Sequence, residues 1–443
     1  MTIAATSIFD AFVYEPTECQ SKALCMIDAF LTKQTDCKAF VLRGSAGTGK
    51  TSLMQAVVTY LNSLGTNFVL LAPTARAAKI LAKRTDESAS TIHSRIYFAE
   101  ELADGKVKFT YRPNDCDVRT IFMVDEASML AAELDKQEDF ITPNPLLSDL
   151  IRHIKEGNAN NQVIFIGDTY QLPPVFEAES VALSDRLLHE KFGISAKQTT
   201  LNQVMRQTEN SPVLGLANEI KARKDSQKYL KYLSLTRLSS EQSAISNFVQ
   251  YFDRKNLQNV IFIANSNKKV QDMNHQIRRA LGLNTKILMK GDAVMVHQNW
   301  IGKSENISKG DMGIVVEVSL AIEEIKNLKF FDAVIDFEGK MIRTKVLIDC
   351  LLSEKGEVNK EAIKALKGDR MAKNSSYRSN QKASGDPYMS AMYLRYGYAV
   401  TCHKAQGGEW KRVLIDPKFH LENHRWLYTA VTRASESVMS WWY

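Results

Sequence analysis

The sequence predicts an α/β protein built on doubly wound parallel sheets. Short apolar, β-branched runs recur at residues 39–42, 68–71, 121–124, 163–166, 260–263 and 398–401. Each closes on a polar or glycine-bearing cluster, as strands buried on both faces do. Between several of them apolar residues fall at helical spacing, as in Leu53, Met54, Val57, Val58 and Leu61 directly after the first run. That alternation of strand and helix is the βαβ pattern of a parallel sheet. In such sheets ligands bind beyond the carboxyl ends of the strands, and the clusters discussed below follow the predicted runs in this way.

Length and composition set the bounds. At 443 residues the chain exceeds one ordinary core, and the usual ~100 to 200 residues per domain give two to four compact units. Hydrophobic residues at 44% and charged residues at 24% exclude a fibrous or disordered class. The formal charge of +7 suits a polyanionic partner only if it is concentrated on one surface. Cys19, Cys25, Cys37, Cys116, Cys350 and Cys402 lack any Cys-x-x-Cys spacing. They indicate neither a zinc site nor a disulfide framework and fit a reducing cytoplasm. No basic start precedes an apolar stretch, and no apolar run reaches the ~18 residues of a membrane span. A cytoplasmic location is expected.

The first predicted strand runs into Gly44-Ser45-Ala46-Gly47-Thr48-Gly49-Lys50-Thr51, and Ser52 continues into a helical pattern. This is G-x-x-x-x-G-K-[ST] in the strand-to-helix context that the motif requires. The glycines let backbone N–H groups turn inward around phosphates at a helix N-terminus. Lys50 neutralises charge there, and the Thr51 hydroxyl is placed to hold Mg²⁺. Asp125 and Glu126 end the run at 121–124, delivering two carboxylates to the top of a buried strand. Asp125 suits a metal-bound water shell and Glu126 suits orienting and deprotonating an attacking water, which are the tasks that γ-phosphate hydrolysis leaves to protein side chains. After the run at 163–166 come Gly167, Asp168, Thr169, Tyr170, Gln171, Leu172, Pro173 and Pro174. The prolines stiffen a loop on which Gln171 is either a γ-phosphate sensor or part of a rigid turn.

Two stretches depart from the alternation. Residues 290–350 hold short alternating strand candidates at 293–296, 313–318, 333–337 and 341–347 with little helix, a pattern that predicts a small β-barrel. Residues 353–385 follow, with eight Lys or Arg against four acids, as a solvated flexible segment or a nucleic-acid contact. Earlier, Asp104-Gly105 is a two-residue hairpin turn signal. Val107, Phe109 and Tyr111 alternate after it, so an aromatic face is expected on the returning strand. Phe109 either stacks on a base or packs beneath the hairpin.

In order, the chain carries Gln20, the loop at 44–51, Ala72-Pro73-Thr74-Ala75-Arg76, Thr91-Ile92-His93-Ser94, Asp125-Glu126-Ala127-Ser128 and the stretch at 167–174. Val204-Met205-Arg206-Gln207, the stretch at 398–410 and Thr429-Ala430-Val431-Thr432-Arg433 complete the series. This order of clusters resembles superfamily 1 DNA helicases, and within them the RecD/Dda branch that moves 5′ to 3′. The resemblance implies two RecA-like P-loop NTPase lobes, at about 1–197 and 198–443. A β-hairpin insertion at 97–118 would interrupt the first lobe between 1–96 and 119–197. An SH3-like β-barrel insertion with the basic segment, at 285–396, would interrupt the second between 198–284 and 397–443.

The resemblance also implies roles. ATP and Mg²⁺ would bind between the lobes. Gln20 would read the adenine edge, Gly44, Ala46, Gly47, Thr48, Gly49, Lys50, Thr51 and Ser52 the phosphates, and Thr51 and Asp125 the metal. Glu409 would touch the ribose. Arg206 and Arg433 would act with Lys50, Asp125, Glu126 and Gln171 in hydrolysis, as arginine fingers. DNA would meet Pro73, Thr74, Arg76, Thr91, His93, Thr401, His403 and Lys404, with Phe109 on the pin that splits the duplex. The expected partners are single-stranded and tailed duplex DNA, acted on by a monomer, with room for replication or recombination proteins. A P-loop ATPase working on other substrates, a DNA-stimulated translocase that does not unwind, and a subunit of a recombination or repair complex are the rival readings.

Overall fold

The computed structural model describes residues 7–33, 36–101, 107–134, 140–142, 144–203, 211–222, 235–283, 287–302, 305–354, 356–380, 382–417 and 423–441. Two compact units divide the chain. The first is Met1–Phe98, Phe109–Glu138 and Thr142–Ala222, and the second is Ala99–Lys108, Asp139–Ile141 and Arg223–Tyr443.

Up to residue 222 the chain forms α1 (Glu18–Thr32), β1 (Ala39–Gly44), α2 (Lys50–Ser63), β2 (Asn67–Ala72), α3 (Ala75–Thr85), β3 (Ala89–Thr91) and α4 (Ile92–Ile96). Then come β4 (Tyr97–Glu101), β5 (Val107–Tyr111), β6 (Thr120–Val124), β7 (Phe140–Ile141), α5 (Leu146–Lys155), β8 (Gln162–Gly167), α6 (Asp185–Phe192), β9 (Ala196–Leu201) and α7 (Pro212–Ala222). Six strands make one sheet in the order β3-β2-β6-β8-β1-β9, every neighbouring pair parallel. The apolar runs at 121–124 and 163–166 are its buried interior strands, as the sequence predicts. Helices α1, α2 and α3 share one apolar core with Phe40, Leu42, Ile121 and Ile164 of those strands. The start of α1 is fixed by a capping box. Thr17 accepts from the Gln20 N–H, and the Thr17 N–H donates to Gln20 Oε1 at 2.9 Å.

The expected lobe boundary between residues 197 and 198 falls inside β9, which pairs with β1 over its whole length. The compact unit extends to Ala222. The reason is that β9 is an edge strand with exposed Lys197 and Thr200, so its sequence lacks the apolar run by which the interior strands announce themselves.

Strands β4, β5 and β7 form a separate three-stranded sheet. The Asp104-Gly105 turn lies outside the described residues. The aromatic face predicted for the returning strand exists but is turned inward. Phe109 is only 8% exposed, with its ring 5.4 Å from His93 and 5.5 Å from Tyr97. The Tyr111 hydroxyl donates to Glu156 of α5 at 2.6 Å, and the Arg152 guanidinium lies over its ring. The opposite side of this sheet carries the exposed ring, Phe98 at 53%, covered in part by Arg112 at 4.4 Å.

The second unit contains β10 (Thr236–Leu238), α8 (Glu241–Tyr251), β11 (Val260–Ala264), α9 (Asn267–Ala280), β12 (Ala293–Val296), β13 (Trp300–Ile301), β14 (Asn306–Ile307), β15 (Met312–Val318) and β16 (Glu323–Ile325). It continues through β17 (Leu328–Phe337), β18 (Lys340–Leu347), α10 (Ile348–Leu352), α11 (Lys360–Lys373), α12 (Ser375–Asn380), β19 (Leu394–Tyr396), β20 (Ala399–Thr401), α13 (Cys402–Ala405), β21 (Trp410–Ile415), α14 (His424–Val431) and β22 (Ala434–Trp441). A parallel sheet runs β10-β22-β21-β11-β20. The strand candidates at 293–296, 313–318, 333–337 and 341–347 form an antiparallel sheet in the order β16-β17-β15-β12-β19, with β18 on β17. Described residues of the basic stretch form helices, which goes against the flexible one of its two readings. Its helices α11 and α12 bury Leu366 and Tyr377 against Leu328, Phe330 and Leu347.

One buried network joins the two sheets of this unit. Arg278 of α9 and Asp292, 2% and 0% exposed, form a two-bond ion pair at 2.7 and 2.8 Å. The Tyr398 hydroxyl donates to Asp292 at 2.8 Å, and the guanidinium stacks 4.1 Å from the Tyr396 ring. Next to it, Asn274 Oδ1 accepts from the N–H groups of Tyr398 and Ala399, which fixes the start of β20. Removing one partner strands the other charge in an apolar core. Asp292→Ala is therefore expected to lower stability by about 3–5 kcal/mol, and the Arg278→Met, Asp292→Leu pair by less than the single change. Urea unfolding followed by tryptophan fluorescence checks both.

Candidate functional site

The phosphate loop leaves β1 and enters α2, and its shape is set by contacts that only these residues permit. Gly47 and Gly49 have φ of +76° and +83°, a region that side chains disfavour. A Cβ on Gly47 would lie 2.6 Å from Leu214 of α7, and one on Gly44 would lie 2.5 Å from Thr48 Oγ1. Lys50 Nζ donates to the carbonyls of Gly44 at 2.7 Å and Ser45 at 3.0 Å, curling back over the loop. Thr48 Oγ1 donates to the Ser45 carbonyl at 2.8 Å. Gln20 is buried, and its Nε2 donates to the Thr48 carbonyl at 3.1 Å. The residue that resemblance assigns to adenine thus also braces the loop.

Strand β8 lies between β1 and β6, so the residues that follow these three strands gather at one sheet edge. Asp125 continues β6, and its N–H is held by the Leu71 carbonyl of β2 at 3.0 Å. Burial, and after it the charge of Glu126, pushes the Asp125 carboxyl up to about 6, while Lys50 and Arg84 pull it back down. A cation beside this partly buried carboxylate would favour its charged form. Thr51 stands at the start of α2 with Arg84 Nη1 at 3.5 Å from its hydroxyl. One carboxylate and one hydroxyl beside a phosphate loop fit Mg²⁺, which keeps several waters and takes the rest of its oxygens from phosphates. Glu126 has φ of +49°, a strained backbone for a non-glycine residue of the sort that clusters at functional sites. From β8, Gly167 packs against the Ser128 N–H region, where a Cβ would meet that nitrogen at 3.2 Å. Gln171 is 6% exposed, yet its Oε1 has no hydrogen-bond partner among the described residues. An orphaned buried polar atom needs an explanation, and a ligand arriving at this edge supplies one.

The other predicted positions fall into two groups. In the first unit, Thr74 caps α3 by accepting from the Ala77 N–H at 3.2 Å, and Thr91 caps α4 by accepting from the Ser94 N–H at 3.1 Å. Ala72 and Thr91 are paired in register, which brings these caps to one sheet edge with half-buried Pro73, Arg76 and His93. In the second unit, Thr401 ends β20 opposite Ala264, and His403 and Lys404 are exposed just beyond it. Arg433 is buried and donates to the carbonyls of Thr429 and Gly408 at 3.2 and 3.3 Å, while Glu409 is exposed. Arg206 lies outside the described residues. Phe109, for which the sequence leaves open both stacking on a base and packing beneath the hairpin, is buried beside His93 and Tyr97.

Two cations at the site were not anticipated. Arg84, at the end of α3, reaches Thr51, and Lys221, at the end of α7, donates to Ser45 Oγ at 2.9 Å. Neither belongs to a motif, and Lys221 is far from the loop in sequence, so spacing carried no signal for either.

Comparison with known proteins agrees with this geometry. A family described as an AAA domain matches residues 24–240, and the UvrD-like helicase C-terminal domain matches residues 396–439. The chain is similar to the ATP-dependent DNA helicase dda of Enterobacteria phage T4, at 26% identity over 90% of this chain and 93% of that one. It is also similar to the ATP-dependent RecD2 DNA helicase of Deinococcus radiodurans, at 23% identity over 90% of this chain but only 46% of that protein. A solved structure of Pif1 helicases at forked double-stranded DNA has the same fold, with a TM-score of 0.50 and 18% identity over 96% of this chain and 92% of that one. With a P-loop sheet in the first unit and a match to the UvrD-like helicase C-terminal domain in the second, the chain is similar to superfamily 1 helicases of the RecD/Dda type.

Proposed function

We propose that the protein is an ATP-dependent DNA helicase that moves 5′ to 3′ on single-stranded DNA and opens duplex ahead of it. The observation that carries this reading is the gathering of the phosphate loop, Asp125, Glu126 and the orphaned Gln171 at one edge of a single parallel sheet. Such an edge binds a nucleoside triphosphate with Mg²⁺ at Thr51 and Asp125, and Glu126 takes the proton of the attacking water. By resemblance, Gln20 meets the adenine, Glu409 the ribose, and Arg206 and Arg433 the transition-state charge. The caps at Thr74 and Thr91, with Pro73, Arg76, His93, Thr401, His403 and Lys404, suit a phosphate backbone gripped without regard to sequence. The relatives named DNA helicases support the substrate. The antiparallel sheet of the second unit corresponds in this reading to the SH3-like barrel of the branch, and the β4 and β5 strands to the pin. A monomer in the cytoplasm suffices, since both arginine fingers come from the same chain.

Lys50→Ala is expected to reduce DNA-stimulated ATP hydrolysis at least ~10²-fold, the scale for losing a group that stabilises transferring phosphoryl charge, with single-strand affinity kept. Phosphate release and fluorescence anisotropy measure the two. A duplex bearing only a 5′ single-stranded tail is expected to be opened and one bearing only a 3′ tail left intact. Strand displacement read on a gel decides this, and opening from the 3′ tail alone would overturn the direction.

The separating ring is assigned to Phe98, because it is the exposed aromatic of the strand pair. Base stacking on an aromatic is worth ~1–3 kcal/mol, comparable with one base-pair step. Phe98→Ala is expected to slow unwinding severalfold while DNA-stimulated ATPase stays near wild type. Phe109→Ala instead removes a core ring and is expected to lower stability by about 3–5 kcal/mol. Unwinding, ATPase and thermal melting on the two variants separate these effects.

A further inference from the structure

Helix α7 touches the phosphate site at two points and the neighbouring loop at a third. Leu214 fills the space beside Gly47. One helical stretch further on, half-buried Lys221 donates to Ser45 Oγ at 2.9 Å, and its ammonium lies 5.5 Å from the Tyr170 ring centre. Tyr170 directly precedes Gln171, and its N–H donates to Asp168 Oδ1. Burial lowers the proton affinity of Lys221, Asp168 partly restores it and Lys50 adds to the loss. The ammonium therefore stands between the entry of the phosphate loop and the Gln171 loop, with a neutral hydroxyl and a ring face as its contacts. Asp168 offsets the charge of this partly desolvated cation only in part. A phosphate oxygen would pair with it directly, through a charge-assisted bond roughly twice as strong as a neutral one.

Position within the sheet says which phosphate. Ser45 follows β1 and Tyr170 follows β8, the strand between β1 and the one that ends at Asp125 and Glu126. Lys221 is thus on the side of the loop where the carboxylates act on the last phosphate. We propose that Lys221 is a further phosphate-binding residue, one that selects nucleoside triphosphate over diphosphate by pairing with the terminal phosphate. Ala222 is the last residue of the first unit, so the same contact ties the state of that phosphate to the helix from which the chain continues into the second unit.

This inference rests on the reading of residues 44–51 as an ATP site, and the experiment keeps the two apart. Affinities of N-methylanthraniloyl-ADP and of the matching ATPγS derivative, both with Mg²⁺, are measured by fluorescence for the wild type, Lys221→Gln and Lys221→Met. The glutamine keeps an N–H donor at slightly shorter reach and loses the charge. Both variants are expected to bind the triphosphate about tenfold more weakly, the scale of one charge-assisted bond, with diphosphate affinity and nucleotide-free melting temperature close to wild type. An equal loss for both nucleotides would make Lys221 a mere brace of the loop, and no change would remove it from the site; either result overturns the proposal. A wild type that binds neither nucleotide overturns the ATP reading itself. Should the methionine variant fail to fold, the glutamine variant decides alone.

Discussion

Parallel pairing of β2, β6, β8 and β1 is the constraint on which the rest of the first unit depends. Parallel strands all point one way, so whatever follows them emerges at the same edge. Register does the fine placement. Val124 is opposite Leu71 and Phe165, and Arg43 is opposite Gly167. Asp125, the phosphate loop and the Gln171 loop therefore start at nearly one height. The interior strands can hold that register because both of their faces are apolar and buried, so that a slip would carry Asp125 into the core.

The electrostatics of this edge run against ordinary folding preferences. A partly buried carboxylate has its proton affinity raised, Glu126 adopts a strained backbone, and a buried amide oxygen lacks a partner among the described residues. Each is unfavourable for stability alone, and under the proposed function a polyphosphate with its cation would meet the carboxylate and the amide. Surrounding structure is correspondingly stiff. The capping box of α1 places Gln20 against the loop, and Leu214 closes its far side. The loop is held by packing and hydrogen bonds.

In the second unit the equivalent support is ionic. The Arg278 and Asp292 pair, with Tyr398 and Asn274, connects the antiparallel sheet to the parallel one at the beginning of β20. Strand β20 is only three residues long, too short to fix itself by ladder bonds. Thr401, His403 and Lys404 therefore depend on a buried network that contains none of them. Such a network gives little net stability over an apolar core but sets one geometry when every member is satisfied.

The sequence by itself determined the elements whose information is local. The phosphate loop, the interior strands, the carboxylate pair at 125 and 126 and the class of fold were all legible, because period, glycine placement and strand ends are written in adjacent residues. The inward face of β5 was half legible: alternation identified Val107, Phe109 and Tyr111 as one side, but not which side met α5. Period two fixes which residues share a face and says nothing of which face is buried. Edge strand β9 escaped notice because a half-exposed strand has no apolar run, and the helices of the basic stretch at 353–385 were not legible because they bury few residues each. Tertiary structure alone decided that Phe98 is the outward ring, that Gln20 braces the loop, and that Arg84 and Lys221 stand at the phosphate site. Those are contacts between residues distant along the chain, and no spacing rule encodes a distance that only packing creates.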